Sequence, residues 1–209
     1  MIRVKICGLT RLEDADLAID LGADAIGFIF WPKSPRFITP AEAATISRRL
    51  PPFVTRVGVF VDAAPGEVRG IVDVVGLDAV QLHGDENAGD FAGVGARLIR
   101  GVVLDSKDHV LLAAGLPSNV MPLVDTSDPV LRGGTGRVGN WDRAAVLASQ
   151  RRIILAGGLT AENVGDAVHH VQPWGIDVSS GVEDAPGIKN ANRMRALFEQ
   201  VARLRAEGL

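Results

Sequence analysis

The stretch RRIILAGGLTAENV (residues 151–164) decides the fold that the sequence predicts. An apolar, β-branched run comes first, two glycines follow it, and Thr160 with Glu162 and Asn163 then marks a helix start. A strand that is apolar on both faces suits a parallel sheet covered by helices. The stretch is therefore typical of one strand-to-helix unit of an α/β protein.

The same succession recurs along all 209 residues. Apolar runs predict strands at 2–7, 24–30, 56–62, 78–83, 97–104, 120–125, 151–157 and 175–180. Helical patterns lie near 11–21, 41–50, 65–75, 86–94, 107–114, 141–149, 161–170 and 190–206. Thr10 and Glu13 form a capping-box pattern at the first of these helices.

Eight such units predict the α/β class, as a single (β/α)8 TIM barrel in which residues 1–209 form one domain. A doubly wound open sheet is the alternative, but it usually has fewer strands and two unlike halves. The longest irregular stretch, 126–140, is predicted to be a functional lid.

The composition narrows the class of function. A formal charge of −3 argues against a general nucleic-acid or anionic-membrane surface. One cysteine allows no internal disulfide, which fits a reducing compartment. We find no secretory signal and no run of about 18 apolar residues. These features predict a cytoplasmic protein with no membrane or nucleic-acid partner.

In a barrel, catalytic side chains stand where strands end, in the loops before the helices. The loops after strands seven and eight are rich in small residues, whose backbone N–H groups can approach an anion. This pattern predicts a phosphate site, although glycines that merely turn tight corners are the alternative. The residues concerned are Gly157, Gly158, Ser180 and Gly181.

Cys7 and Asp125 end strands one and six, on opposite sides of the ring. A lone cysteine is usually a small buried apolar residue, and a carboxylate there is often a helix cap. Facing each other across a pocket, however, the two could move protons on opposite sides of one substrate. For this the pKa of Cys7 must fall, and a nearby helix start favours a thiolate.

Charged residues around this pair have alternative roles. Arg36, in a loop stiffened by prolines, suits a bidentate grip on a carboxylate, although a surface role is nearly as plausible. Lys5 shares a face of its strand with Cys7, and we interpret it as a structural cation paired with Asp177. A Schiff-base lysine is the rival interpretation.

His83 shares parity with Gln81 on strand four. It is as plausible as a substrate-binding residue of the pocket wall as it is as a proton carrier. The strands lack several histidines and carboxylates at ligand spacing, so no metal site is predicted. A G-x-G-x-x-G pattern at Gly134, Gly136 and Gly139 is interpreted as accidental, because no strand directly precedes it.

Eight short stretches, spread over nearly the whole chain, form a specific pattern when they are taken in order. They are VKICGLT (4–10), GFIFWPKSPRFI (27–38), VGVFVD (57–62), QLHGDE (81–86), LVDT (123–126), GGTG (133–136), LAGGLTAENV (155–164) and GIDVSSGVEDAPGIKN (175–190). This pattern resembles the phosphoribosylanthranilate isomerase family of tryptophan biosynthesis.

The resemblance implies an aldose–ketose isomerase that performs the Amadori rearrangement of N-(5-phosphoribosyl)anthranilate without cofactor or metal. It implies Cys7 as general base, Asp125 as general acid and Arg36 as the partner of the anthranilate carboxylate. The backbone of Gly157, Gly158, Ser180 and Gly181 would hold the phosphate. We expect this phosphosugar–anthranilate as the small-molecule substrate, and a monomer or homodimer.

The chain departs from the family pattern in the lid. Gly139 stands where an aromatic residue is common, and Asn140 where a carboxylate is common. Three alternatives remain at this point: an aminoaldose isomerase of histidine biosynthesis, which is expected to carry an Asp in place of Cys7; a lyase that uses Lys5; and a phosphate-ligand binding protein without catalysis.

Overall fold

The computed structural model describes residues 1–125 and 141–209. The predicted lid, with its glycine pattern and with Gly139 and Asn140, lies outside the described residues. Within the described residues no helix combines the length and the hydropathy that a membrane crossing requires.

Eight parallel strands close into a barrel in which each strand pairs with the next and β8 pairs with β1. The predicted (β/α)8 architecture is therefore confirmed. The strands are β1 (Arg3–Cys7), β2 (Ala25–Ile29), β3 (Thr55–Phe60), β4 (Ala79–Leu82), β5 (Arg97–Val102), β6 (Val120–Asp125), β7 (Ile154–Ala156) and β8 (Gly175–Val178).

Helices follow most of the strands and cover the outside of the ring. They are α1 (Leu12–Asp20), α2 (Pro40–Ser47), α3 (Pro65–Val75), α4 (Lys107–Ala114), α5 (Trp141–Ala148), α6 (Val164–Val171) and α7 (Ala191–Ala206). Short 3₁₀ helices occupy Ala88–Phe91 and Ser180–Val182, and a hairpin outside the barrel is formed by β9 (Glu183–Ala185) and β10 (Ile188–Lys189).

The helix predicted near 86–94 is wrong, because the structure has only the 3₁₀ turn Ala88–Phe91 there. Glycines at 84, 89, 93 and 95 make a longer helix unfavourable. Glu86 also turns its carboxylate back onto the backbone N–H groups of Asp62 and Gly84, at 2.7 and 2.8 Å. The segment is thus fixed by a loop network.

The capping box predicted at Thr10 is also wrong. Arg11 is the N-cap of α1 and its side chain makes no capping hydrogen bond, while the Thr10 hydroxyl donates to the carbonyl of Gly187 at 2.6 Å. A capping box does occur at α2, where Thr39 and Glu42 bond reciprocally. A tertiary hydrogen bond to the hairpin therefore replaces the local capping hydrogen bond of Thr10.

The core has two layers, since alternate residues of each strand face inward and outward. The larger apolar cluster lies between the strands and the helices and includes Val4, Ile6 and Val178. A smaller one fills the barrel interior: Val57, Ala79, Ile99, Leu123, Ile154 and Ala156. The polar groups buried in the chain include Lys5, Gln81 and Asp177.

Candidate active site

The topology brings the predicted site residues to one end of the barrel. Cys7 and Asp125 are the last residues of β1 and β6, and His83 directly follows β4. Parallel strands of a closed barrel end on the same side, so these residues share the carboxyl-end face. The others stand in loops of the same end: Arg36 after β2, Gly157 and Gly158 after β7, and Ser180 and Gly181 after β8.

Cys7 fits its position because the neighbouring strand has a glycine. The side chain is 5% exposed. A Cβ atom at Gly27 would lie 2.8 Å from the Sγ atom of Cys7 and 3.1 Å from Cε of Lys5. Any side chain at position 27 would therefore displace the thiol.

The protonation of Cys7 differs from the expectation that its pKa must fall. Burial raises the pKa of Cys7, and Lys5 and Lys189 oppose this rise only in part. The expected help from a helix dipole is weak, because α1 begins at Leu12 and the dipole acts only over the first turn. Burial therefore favours the thiol form of Cys7.

Lys5 forms the ion pair that the strand parity predicted. Its Nζ atom lies 3.0 Å from Oδ1 of Asp177 and 3.0 Å from Oε1 of Gln81. Burial works against the charge of Lys5, but Asp177 and Cys7 outweigh it and raise the pKa of Lys5. Lys5 is therefore an ammonium held beneath the catalytic end.

Asp125 contacts His83, with 3.4 Å between Oδ2 and Nε2. The other ring nitrogen of His83, Nδ1, lies 3.2 Å from Nε2 of Gln81. Space for the ring is provided by Gly101 on β5, where a Cβ atom would lie 2.5 Å from Nδ1 of His83. The predicted acid and the predicted pocket-wall histidine thus form one unit.

Arg36 is held by a carboxylate that no sequence motif singles out. Its Nε and Nη2 atoms donate to both oxygens of Glu183, at 2.7 to 3.0 Å. Nη1 of Arg36 has no hydrogen-bond partner in the described part of the chain. This clamp fixes the guanidinium and leaves one edge available to a substrate carboxylate.

Lys189 joins Arg36 and Glu183 in one charged cluster. Its Nζ atom donates to Oε1 of Glu183 at 2.8 Å and to the carbonyl oxygens of Cys7 and Ser179 at 2.6 and 3.1 Å. Burial would raise the pKa of Glu183, but Arg36 and Lys189 outweigh burial and lower it. Both residues lie in the stretch SSGVEDAPGIKN, but no local pattern in it indicates that Glu183 and Lys189 turn back towards β1.

The two predicted phosphate loops touch each other. A Cβ atom at Gly181 would lie 1.9 Å from the carbonyl oxygen of Leu159, so only glycine allows this approach. Gly158 has φ of 64°, in the left-handed region. Among the described residues, the backbone N–H groups of Gly158, Ser180 and Gly181 have no acceptor. Three free donors on adjoining loops make a suitable anion cradle.

A cavity of about 790 Å³ opens at the opposite, amino end of the barrel. Residues at strand starts line it, among them Arg3, Thr55, Arg97 and Gly175. None of the predicted catalytic or substrate-binding residues lines this cavity. Because barrel enzymes place their chemistry at the carboxyl end, we locate the candidate active site there.

Within residues 1–125 and 141–209, no three His, Cys, Asp or Glu side chains are grouped as a metal site would require. The fold and the site together define a (β/α)8-barrel enzyme with a thiol, a carboxylate and a group of backbone N–H donors at the carboxyl end.

Comparison with known proteins gives the particular family. The family model described as N-(5'phosphoribosyl)anthranilate (PRA) isomerase matches residues 4–200. An N-(5'-phosphoribosyl)anthranilate isomerase of Pelobacter propionicus is 48% identical over 99% of both chains. The chain belongs to the N-(5'-phosphoribosyl)anthranilate isomerase family.

Solved structures agree with this family in fold. The phosphoribosyl anthranilate isomerase of Thermotoga maritima matches with a TM-score of 0.90 and 39% identity, over 100% of both chains. Another phosphoribosyl anthranilate isomerase, in complex with reduced 1-(o-carboxyphenylamino)-1-deoxyribulose 5-phosphate, matches with a TM-score of 0.85 and 38% identity, over 100% of both chains.

Proposed function

We propose that this chain converts N-(5'-phosphoribosyl)anthranilate into 1-(o-carboxyphenylamino)-1-deoxyribulose 5-phosphate, the third step from chorismate to tryptophan. The observation that carries the proposal is the placement of Cys7 and Asp125 at the ends of β1 and β6, on one face of the barrel. Membership of the isomerase family supports the same reaction.

In the proposed mechanism Asp125 begins the reaction as a protonated acid. It donates its proton to the furanose ring oxygen, and the C1–O bond breaks to give an iminium and an Asp125 carboxylate. The Cys7 thiolate then takes the proton from C2, and the electron pair of that bond forms the enolamine. Gain of a proton at C1 and loss of one from the C2 hydroxyl complete the ketone.

The state of Cys7 sets a condition on this mechanism. Burial favours the thiol, so the thiolate must form against that tendency. The ammonium of Lys5 beneath it and that of Lys189 beside its carbonyl both favour the thiolate. We assign to these lysines the stabilisation of the base, while neither exchanges a proton with substrate.

The substrate is held at its two charged ends. Nη1 of Arg36, on the guanidinium clamped by Glu183, takes the anthranilate carboxylate. The free backbone donors of Gly158, Ser180 and Gly181, with Gly157 at the turn, take the phosphate. His83 forms the wall beside Asp125. Binding both ends aligns the ring oxygen and C2 with the acid and the base.

A fluorescence assay with freshly prepared phosphoribosylanthranilate tests the proposal directly. We expect consumption of the substrate by the purified chain, and loss of turnover with retained binding in Asp125→Asn. A binding protein without catalysis would retain the fluorescence of bound substrate indefinitely. Competitive inhibition by inorganic phosphate is expected, and noncompetitive behaviour would remove the two glycine loops from the phosphate site.

We also propose that the enzyme is cytoplasmic, acts without nucleic acid or membrane, and is a monomer or homodimer. The net charge of −3 supports the absence of a nucleic-acid surface. Sedimentation velocity across a range of concentrations measures the oligomeric state, and a stable assembly larger than a dimer would contradict it.

A further inference from the structure

Four polar side chains form a line of contacts across the barrel interior, from β1 to β6. Lys5 Nζ lies 3.0 Å from Gln81 Oε1, and Gln81 Nε2 lies 3.2 Å from His83 Nδ1. His83 Nε2 lies 3.4 Å from Asp125 Oδ2. Lys5 and Gln81 are 4% and 3% exposed, so water does not compete freely for their hydrogen bonds.

The ammonium group of Lys5 determines which atom donates and which accepts at each hydrogen bond of this line. An ammonium has only donors, so the Gln81 atom that faces Lys5 must be the carbonyl oxygen. The amide NH₂ of Gln81 then faces His83, and Nδ1 of the imidazole must accept from it. The proton of neutral His83 therefore resides on Nε2, where it points to the Asp125 carboxyl group.

We propose that Gln81 is a positioning residue of the isomerase reaction. Its carbonyl oxygen accepts from Lys5, so its NH₂ group donates to Nδ1 of His83. This donation holds His83 in the Nε2–H tautomer. That N–H supports the negative charge that appears on Asp125 when Asp125 gives its proton to the ring oxygen.

A second observation shows that the position of the His83 ring is fixed by its neighbours. A Cβ atom at Gly101 would lie 2.5, 3.1 and 3.2 Å from Nδ1, Cε1 and Cγ of His83, so the ring lies against the backbone of β5. Backbone on one side and Gln81 on the other define both the plane and the tautomer of the ring.

The separation of 3.4 Å between His83 and Asp125 is longer than an ordinary N–H···O hydrogen bond. Catalytic hydrogen bonds are often long before substrate binds and tighten in the complex. Charge developing on Asp125 is the event that would tighten this one. The positioning by Gln81 therefore stabilises the transition state more than bound substrate, and its loss lowers kcat more than it raises KM.

The tautomer of His83 is directly measurable. Long-range ¹H–¹⁵N correlation spectra of the uniformly labelled protein report which nitrogen of each of its four histidines is protonated. The His83 signals are identified by their loss in His83→Asn. We expect the Nε2–H pattern in the parent protein, and an Nδ1–H pattern there would overturn the proposal without any need for a Gln81 variant.

Kinetics of Gln81→Met complete the test, because methionine keeps the length of the side chain and removes both amide groups. We expect a mixture of His83 tautomers, a fall in kcat of roughly ten-fold and a KM within about two-fold of the parent. Gln150→Met is the matched control, since Gln150 is exposed after α5. Unchanged kcat in a folded Gln81→Met protein, or a change confined to KM, would contradict the proposal.

This inference rests on the proposed acid role of Asp125, and the two can fail separately. If Asp125→Asn keeps full turnover, the acid assignment is wrong whatever the tautomer of His83. If Asp125→Asn is inactive and Gln81→Met is fully active, the acid stands and the positioning role of Gln81 falls.

Discussion

Two buried lysines contact the same cysteine from different parts of the molecule. Burial lowers the pKa of both, yet their net pKa shifts are opposite. Lys5 lies inside the barrel on β1, and its pKa is raised because Asp177 and Cys7 outweigh burial. Lys189 lies on β10 of the hairpin, and burial lowers its pKa despite the attraction of Glu183.

The number of cations that share each carboxylate explains the difference. Asp177 contacts Lys5, and no second cation contacts it within the described residues. Glu183 divides its charge between Lys189 and Arg36, and Arg36 also repels the lysine. Equal burial therefore does not mean equal charge stability, and the barrel interior holds its cation more firmly than the hairpin.

The largest expected effect is on folding. Lys5→Met leaves Asp177 as a buried carboxylate without a cation and should lower the free energy of unfolding by about 3 kcal/mol. Lys189→Met leaves Glu183 paired with Arg36 and should cost about 1 kcal/mol, mainly in lost hydrogen bonds.

Urea unfolding of both variants measures this contrast. A larger loss in Lys189→Met than in Lys5→Met would reverse the comparison. Borohydride trapping of a substrate adduct on Lys5 would also end its structural assignment in favour of a lyase.

The second-largest expected effect concerns Cys7, which both lysines contact. Cys7→Ser keeps the size of the side chain but removes the ionisable thiol, so kcat should fall by about 10² or more. Steady-state kinetics with the fluorescent substrate measure the change, and circular dichroism checks the fold. Near-normal turnover would remove Cys7 from the mechanism and leave the two lysines with structural roles only.

A smaller effect, on substrate binding, is expected from a change in the group formed by Arg36, Glu183 and Lys189. Glu183→Gln weakens the bidentate clamp on Arg36, so KM should rise by roughly ten-fold while kcat changes less. Glu199→Gln, on the exposed face of α7, is the matched control. A fall in kcat with constant KM would instead assign Glu183 to the support of Cys7 through Lys189.

The smallest expected effect is on how the free energy of unfolding depends on pH in the alkaline range. The two lysines should change it in opposite directions as pH rises. The pKa of Lys5 is raised, so its contribution is complete below the unfolded value of about 10.4 and is lost as pH rises through the folded value. The pKa of Lys189 is lowered, so the unfolded chain binds the extra proton and stability rises with pH up to about 10.4.

Unfolding free energies of the parent and of the two methionine variants between about pH 8 and pH 11 separate these contributions. The chain has no tyrosine, but the Cys7 thiol titrates in this range, so all three proteins are made with Cys7→Ser. The loss caused by Lys5→Met should shrink as pH rises, whereas the loss caused by Lys189→Met should grow. Parallel pH dependences in both variants would show that the two environments are equivalent.

Most of the fold was predictable because it depends on features that repeat. Apolar runs of strand length located all eight barrel strands, and the alternation of faces along β1 and β8 was enough to pair Lys5 with Asp177. The pair follows from register, which is a property of neighbouring strands. The carboxyl-end rule likewise brought Cys7 and Asp125 to one face.

The errors arose where contacts distant in sequence decided the outcome. The Thr10 hydroxyl bonds to Gly187 and not to its own helix. Glu183 and Lys189 reach back to Arg36 and Cys7 through a hairpin that no local periodicity indicates. The direction of the Cys7 pKa depends on the sum of burial and three charged neighbours, which no motif encodes.

The close approach of Gly27 to Cys7 also limits how this barrel could be redesigned. With Gly27 on β2 beside the thiol, and Lys5 on the same face of β1, the space next to β2 fits a side chain of the size of cysteine. A longer side chain such as glutamate at position 7 would have to be directed away from Gly27. An engineer who wishes to place a different side chain at position 7 must therefore design β2 together with the new residue.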